Sequence, residues 1–272
     1  MPELPEVETY RRYLEETSLQ QVIEAIDVED HKLLTTNYSA LTESLVGRSF
    51  VGTRRVGKNL FVLTDKENVI VRMHFGMTGD LAYYHSSLDR PRHARIVFHF
   101  RGGFNLGFVC PRKFERVGLV ENINDFLKSK KIAADGLEID VETLAQNLRK
   151  RKSAVKPVLL DQSTVAGIGN WIVDEVLFQA KIHPERLSNS LTDNEIAAIH
   201  AAIGFVLKTA IAHEANYALF PTSFLIHARE WATSPYENDA SRHKRCPCGL
   251  VEVSQSRVGG RATYFCSVCQ TL

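Results

Sequence analysis

The sequence changes character near Lys128, and this change constrains the fold more than any other feature. Before it, short apolar or alternating segments are separated by turns such as Lys66-Glu67-Asn68 and Arg101-Gly102-Gly103, a pattern typical of antiparallel strands. After it, apolar residues recur at helical spacing. A first helix is predicted over residues 4–17. We therefore predict an α+β fold, with an N-terminal helix and an antiparallel β-sandwich followed by a helical domain.

The helical part carries two further signals. Thr192 and Glu195 have the spacing of a capping box and precede an apolar stripe over residues 196–211. Upstream, two helices are predicted on either side of the tight turn V-A-G-I-G at residues 165–169. The stretch 214–245 has weak periodicity and predicts a long loop.

The cysteines are concentrated at the C-terminus. Four of the five form two close pairs, Cys246-Pro-Cys248 and Cys266-Ser-Val-Cys269, which is typical of a zinc ribbon with one structural Zn²⁺. The segment S-R-V-G-G-R-A-T-Y-F between the pairs predicts a β-hairpin with its turn at Gly259 and Gly260. His243 is an alternative ligand. Cys110 ends an apolar strand and is predicted to be a packed, unreactive thiol.

Charge and hydropathy limit the functional classes. The formal charge of +1 over 272 residues is no nucleic-acid signature, so a DNA-binding protein of this composition must segregate its charges. Basic clusters occur at residues 54–58, 149–156 and 242–245, although each alone is typical of a solvated face. We find no apolar run of membrane-spanning length and no signal region, and therefore expect a cytoplasmic, nucleoid-associated protein.

The opening residues M-P-E-L-P-E carry the strongest chemical signal. Loss of Met1 would give Pro2 a free secondary amine, and an α-amino group with a pKa of about 8 is partly neutral near pH 7. Such an amine can attack a sugar's anomeric carbon to form an iminium ion, and Glu3 could transfer protons. On these residues alone, the start of a helix explains the pattern equally well.

The opening motif, G-I-G-N at residues 167–170 and the cysteine pairs occur in the order found in the Fpg/Nei family of DNA glycosylases. The chain resembles this family over nearly its whole length, and L-P-E-V-E-T resembles the formamidopyrimidine (Fpg) branch. The resemblance implies a catalytic β-sandwich domain over residues 1–125, a helix-two-turn-helix domain over 126–240 and a zinc-finger hairpin over 241–272. It implies a monomer that binds damaged double-stranded DNA.

The resemblance also implies the site residues. Pro2 is the expected nucleophile, Glu3 the proton donor, and Glu6 a support for the N-terminus; Lys58 and Arg261 are expected at the phosphates next to the lesion. Further DNA contacts are implied for His74, His93, Lys156 and Asn170. Met77, Arg112 and Phe114 correspond to the residues that fill the gap left by the extruded base.

Two departures from the family bear on lesion choice. The usual D-P-R-R-F-G is C-P-R-K-F-E at residues 110–115, which changes the surroundings of Arg112 and Phe114. The lesion-capping loop of bacterial enzymes that act on 8-oxoguanine is replaced at residues 215–231 by a sequence similar to plant and fungal members. We therefore expect faster excision of formamidopyrimidines and hydantoins than of 8-oxoguanine.

The predicted activity is that of a bifunctional DNA glycosylase and abasic-site lyase, which excises oxidised purines and removes the sugar by β,δ-elimination. Two alternatives remain open from the sequence. One is an endonuclease VIII-like glycosylase that acts on oxidised pyrimidines. The other is a non-catalytic DNA-binding protein with the same scaffold.

Overall fold

The computed structural model describes residues 2–229 and 244–272, so the alternative ligand His243 lies outside the described residues. The chain forms two compact units, one of residues 1–2 and 6–130 and the other of residues 3–5 and 131–272. The residue pattern predicted a strand-rich first part and a helical second part, and both predictions are confirmed.

The first unit is a pair of four-stranded antiparallel sheets. One sheet has the order β1-β6-β7-β5 and the other the order β2-β3-β4-β8. The strands are β1 (Ile23–Val28), β2 (Phe50–Val56), β3 (Asn59–Thr64), β4 (Ile70–His74), β5 (Asp80–Tyr84), β6 (Ala94–Phe100), β7 (Asn105–Val109) and β8 (Arg116–Val120). Helices α1 (Leu4–Ser18), α2 (Tyr38–Leu45) and α3 (Ile123–Ser129) accompany them.

The core of this unit is aromatic. Phe50 packs edge-on against Phe98 and Phe100, and Phe75 packs against Phe108. In β6 the buried Phe98 and Phe100 lie on either side of the half-buried His99, which is the period of two typical of a strand. The β-sandwich and the N-terminal helix predicted from the sequence are therefore confirmed.

The second unit is helical and ends in a hairpin. Its helices are α4 (Val141–Arg149), α5 (Val155–Leu160), α6 (Asn170–Gln179) and α7 (Asp193–Ala212), and its strands are β9 (Ser254–Val258) and β10 (Arg261–Phe265). The predicted capping box is confirmed, because Thr192 and Glu195 exchange hydrogen bonds at the start of α7. The predicted hairpin is confirmed as well, since Arg261 pairs with Val258 across the turn.

Helix α7 is also the one described helix that is long and apolar enough to cross a membrane by length and composition. This differs from the sequence reading, which found no run of that length. Seven of its residues, from Ile196 to Ala210, are buried in the core of the helical unit. The same burial is typical of a core helix in a globular domain.

Candidate functional site

The carboxylate of Glu3 is buried at the beginning of α6. It accepts hydrogen bonds from the backbone N–H groups of Trp171 at 3.1 Å and Ile172 at 3.3 Å. These are amides that a helix leaves without an internal partner, and the helix dipole favours an anion there. In the structure they hold the side chain that follows Pro2.

The G-I-G turn makes room for this arrangement. A Cβ atom on Gly169 would lie 2.1 Å from the Glu3 carboxyl carbon, and one on Gly167 would lie 2.5 Å from the Leu4 side chain. Gly167 also has a φ of +102°, which favours glycine. Its carbonyl accepts a hydrogen bond from the Leu4 N–H at 3.2 Å. Both glycines are therefore required for the close approach of residues 3 and 4 to α6.

Lys156 is fully buried, and its three ammonium donors are used inside the protein. They reach Asp174 Oδ1 at 2.7 Å, the Ala262 carbonyl at 2.7 Å and Thr263 Oγ1 at 2.9 Å. Because these donors are already used, Lys156 does not present its ammonium group for the expected DNA contact. The side chain instead joins α5, α6 and β10, next to Arg261.

Asp174 is the centre of this buried network. Its Oδ2 accepts from Arg229 Nη1 at 2.9 Å and from the Tyr264 N–H at 3.2 Å, and the Arg229 guanidinium lies 4.5 Å from the Tyr264 ring centre. Burial lowers the pKa of Lys156 and raises that of Asp174, while the charge pairing opposes both shifts. We call Lys156, Asp174 and Arg229 the hairpin network.

Asn170 and Arg261 lie at the edge of the hairpin network. Asn170 Nδ2 donates to the Ala262 carbonyl at 3.0 Å, the same carbonyl that accepts from Lys156. The Oδ1 atom of Asn170 is buried and has no hydrogen-bond partner among the described residues. Arg261 is exposed at the start of β10, and its carbonyl accepts from Thr263 Oγ1 at 3.0 Å. The backbone of Arg261 is fixed while its guanidinium faces solvent.

The four C-terminal cysteines form a cluster that can hold a metal ion. Their Sγ atoms all lie within 4.8 Å of one another, and the Cys246–Cys269 and Cys248–Cys266 pairs are each 3.9 Å apart. Tetrahedral Zn–S bonds of about 2.3 Å place sulfur atoms about 3.8 Å apart. The donor set therefore fits zinc, although a single residue, Pro247, separates Cys246 from Cys248.

Lys58 and His74 belong to the β-sandwich unit. Lys58 lies in the turn between β2 and β3, and His74 ends β4 opposite Asn59. Burial lowers the pKa of His74 to about 4, and nearby Arg72, Lys58 and Arg116 add to this shift. His74 Nδ1 accepts from the Gly76 N–H at 3.2 Å, so the neutral ring carries its proton on Nε2 and can donate it to a phosphate.

The three residues expected to fill the DNA gap are exposed. Met77 is 38% exposed and Phe114 is 53% exposed. The guanidinium of Arg112 lies 5.4 Å from the centre of the Phe114 ring. Met77, Arg112 and Phe114, which we call the wedge residues, are therefore available to a partner.

The remaining sequence-derived candidates occupy less distinctive positions. Glu6 lies in the first turn of α1. His93 has a φ of +70°, and its carbonyl accepts from the Cys110 N–H at 2.8 Å. Cys110 itself is fully buried, and burial raises its pKa to about 12, so its predicted role as a packed thiol agrees with the structure.

The stretch 214–229 is more ordered than its weak periodicity indicated. It contains the 3-10 helices Tyr217–Leu219 and Leu225–Ala228. The Glu175 carboxylate accepts from the N–H groups of Leu225 and Ile226, both at 3.0 Å. Trp171, Tyr217 and Phe220 pack against one another. Between α7 and β9 the described residues form no α-helix or β-strand, so residues 214–229 agree with the predicted long loop, and residues 230–243 lie outside the described residues.

Sequence reasoning missed Asp174, Glu175 and Arg229. All three are charged and buried. For Asp174 and Glu175, the signal that could have found them is a charge inside the apolar helix N-W-I-V-D-E-V-L-F. Sequence reasoning also missed Glu115, which is fully buried beside the wedge residues.

Comparison with known proteins identifies relatives over the whole chain. Residues 1–117 match the model of the formamidopyrimidine-DNA glycosylase N-terminal domain, and residues 133–220 match that of the formamidopyrimidine-DNA glycosylase H2TH domain. The formamidopyrimidine-DNA glycosylase of Desulforamulus reducens is 35% identical and covers 99% of both chains. The Arabidopsis thaliana protein of the same name is 33% identical over 85% of this chain and 63% of its own.

A solved structure agrees with these sequence relatives. The Lactococcus lactis Fpg protein, in complex with DNA that contains FAPY-dG, has a TM-score of 0.86 and 30% identity. It covers 99% of this chain and all of its own.

Proposed function

Because this chain belongs to the formamidopyrimidine-DNA glycosylase family, we propose that it excises oxidised purines from DNA and cleaves the resulting abasic site through Pro2. The observation that carries this mechanism is the buried Glu3 carboxylate, held by two backbone N–H groups directly after Pro2. Such fixed geometry is what a proton-transfer group next to a nucleophile requires. The endonuclease VIII-like alternative is not favoured by the relatives.

In the proposed reaction the Pro2 amine attacks C1′ of the extruded nucleotide, and the bond from C1′ to the damaged base breaks as the base departs with the proton that the Pro2 nitrogen loses. Glu3 protonates the sugar ring oxygen, the ring opens, and an iminium ion joins Pro2 to C1′. The iminium acidifies the C2′–H bond, so loss of that proton expels the 3′ phosphate. A second elimination expels the 5′ phosphate and leaves a one-nucleotide gap.

The binding residues have separate roles in this proposal. Lys58, His74 and Arg261 contact phosphates, since an ammonium, a neutral Nε2–H and a guanidinium are all suited donors. His93, Asn170 and Lys156 were expected to do the same. For Asn170 and Lys156 the hydrogen bonds to the Ala262 carbonyl favour positioning of the Arg261 backbone instead.

The cysteine cluster has a structural role in the proposal. Cys246, Cys248, Cys266 and Cys269 would hold one Zn²⁺, which would fix the base of the hairpin that carries Arg261. No water needs activation in the proposed reaction, because Pro2 is the nucleophile.

The covalent step can be tested by borohydride trapping. A duplex with an abasic site should give a stable protein–DNA adduct with the protein whose N-terminus is Pro2. A variant extended by one residue before Pro2 should give none, because its nitrogen is then an amide. Glu121→Gln, a change at an exposed position of the same unit, serves as the control and should trap fully. Equal trapping by the extended protein would disprove the role of Pro2.

The lesion preference is proposed from residues 214–229. This segment is fixed by Glu175 and by the aromatic contacts of Trp171, so it is not free to close over a base. Discrimination of 8-oxoguanine from guanine requires polar groups that pair with the correct base, whereas ring-opened and non-planar lesions stack poorly and are extruded at lower cost.

We therefore expect higher single-turnover rates on formamidopyrimidine and hydantoin duplexes than on 8-oxoguanine paired with cytosine. Rates on matched duplexes of one sequence provide the measurement, and an undamaged duplex is the control. An 8-oxoguanine rate equal to the hydantoin rate would show that residues 214–231 form a working cap.

A further inference from the structure

The proposed function leaves one buried acidic residue without a role. Glu115 lies between the wedge residues and β8, with its side chain fully buried. Its Oε1 accepts from Thr78 Oγ1 at 3.1 Å, and its Oε2 is buried with no hydrogen-bond partner in the described part of the chain. A buried carboxylate with an unpaired oxygen destabilises a fold. Its presence therefore calls for a compensating contribution.

Glu115 connects the two segments that carry the wedge residues. Thr78 follows Met77 directly, and Glu115 follows Phe114 directly, so the Thr78–Glu115 hydrogen bond ties one segment to the other. The backbones also meet closely. A Cβ atom on Gly76 would lie 2.7 Å from the carbonyl carbon of Phe114, and one on Gly79 would lie 2.8 Å from Glu115 Cγ.

The segment at 112–116 is held on its other side as well. Lys113 has a φ of +60° and its Nζ donates to Asp30 Oδ2 at 2.7 Å. Arg116 Nη1 donates to the carbonyls of Lys113 at 3.0 Å and Glu115 at 2.6 Å. The backbone is thus fixed from both sides, while the side chains of Arg112 and Phe114 remain exposed.

We infer that Glu115 is a positioning residue that fixes Met77 relative to Arg112 and Phe114 before DNA binds. The inference rests on the proposed function, because the wedge residues need a fixed arrangement only if they enter a base stack. Groups ordered in advance lose less conformational freedom on binding. This ordering should speed the extrusion of a damaged base. Its effect on an abasic site should be smaller, because no base has to be unstacked there.

A double-mutant cycle tests this inference with single-turnover kinetics. Thr78→Val removes only the hydroxyl donor, Glu115→Ala removes the acceptor, and the double variant removes both. Thr53→Val is the matched control, since Thr53 Oγ1 donates to Glu15 Oε1 at 2.6 Å elsewhere in the same unit. If Glu115→Ala does not fold, Thr78→Val against Thr53→Val carries the test.

We expect Thr78→Val and Glu115→Ala each to excise formamidopyrimidine about tenfold more slowly, because small displacements of positioned groups lower reaction rates by such factors. The double variant should be no slower than the single variants, because all remove the same connection. Cleavage of a preformed abasic duplex should stay within about twofold, since no damaged base is extruded there. A 2-aminopurine next to the lesion should also show less fluorescence increase, which reports base unstacking directly.

The outcomes separate the inference from the proposed function. A wild-type protein that neither traps nor cleaves would refute the proposed function. An active wild type with Thr78→Val as fast as Thr53→Val would overturn the role of Glu115. An equal loss of excision and abasic cleavage would overturn it too, because that would show a general structural effect.

Discussion

His74 illustrates how a single residue can have a role that its ordinary chemistry would not indicate. A histidine near phosphates is often taken to be protonated, but burial and the neighbouring cations keep this ring neutral. The Gly76 N–H bonded to Nδ1 leaves Nε2 as the donor. In the proposed phosphate contact this donor would meet a charged acceptor, and such a hydrogen bond is worth about 1.5–3 kcal/mol.

We predict that the His74 ring titrates near pH 4 in the free protein, well below the usual value of about 6.5. Because its pKa is lowered by folding, the associated stability is present above the unfolded value and is lost as pH falls through about 4. NMR titration of the His74 Cε1 proton provides the measurement, with the exposed His85 as an internal reference. A His74 midpoint near 6.5 would contradict this.

At the level of elements, the hairpin β9–β10 depends on two supports. The proposed zinc at the cysteine cluster would hold its base, and the hairpin network of Lys156, Asp174 and Arg229 holds β10 from inside. The sequence predicted the first support from cysteine spacing. It did not predict the second, because which of several basic residues folds inward is decided by tertiary contacts.

We predict one zinc per chain, whose removal by a chelator lowers DNA affinity at least about tenfold by loosening Arg261, while the β-sandwich stays folded. Elemental analysis, DNA titration and circular dichroism provide the measurements. Cys110→Ala, which removes a thiol outside the cluster, should keep one zinc. Full DNA affinity of the metal-free protein would contradict the prediction.

At the level of the whole molecule, much of the architecture could be predicted because its signals are local. Period-two strands, the Thr192–Glu195 capping box and the turn at Gly259 each depend on neighbouring residues only. Residues 214–229 could not be predicted in this way. Their order depends on Glu175 and Trp171, which lie about fifty residues before the residues that they contact, and such contacts leave no periodicity in the segment itself.

Overall stability should show the effect of Glu175. Complete burial raises its pKa to about 7, so folding favours the protonated form. The stabilisation is fully present below the unfolded pKa of about 4.5 and is lost as pH rises through about 7, which amounts to roughly 3 kcal/mol.

We predict that Glu175→Gln removes this dependence, so the difference in unfolding free energy between wild type and variant changes with pH between about 4.5 and 7. Urea unfolding followed by tryptophan fluorescence is suitable, because Trp171 lies in the same helix as Glu175. Glu138→Gln, at an exposed position of the same unit, is the control. If the unfolding free energies of wild type and Glu175→Gln changed in parallel with pH, the raised pKa of Glu175 would be contradicted.

The hairpin network also limits how this protein can be recombined with its relatives. The Ala262 carbonyl accepts from both Lys156 and Asn170, and the Tyr264 N–H donates to Asp174. A C-terminal hairpin grafted from another family member would meet these three inner residues and Arg229 at fixed positions. The natural unit of exchange is therefore the hairpin together with α5, α6 and residue 229, and a crossover placed between them would separate partners that must be inherited together.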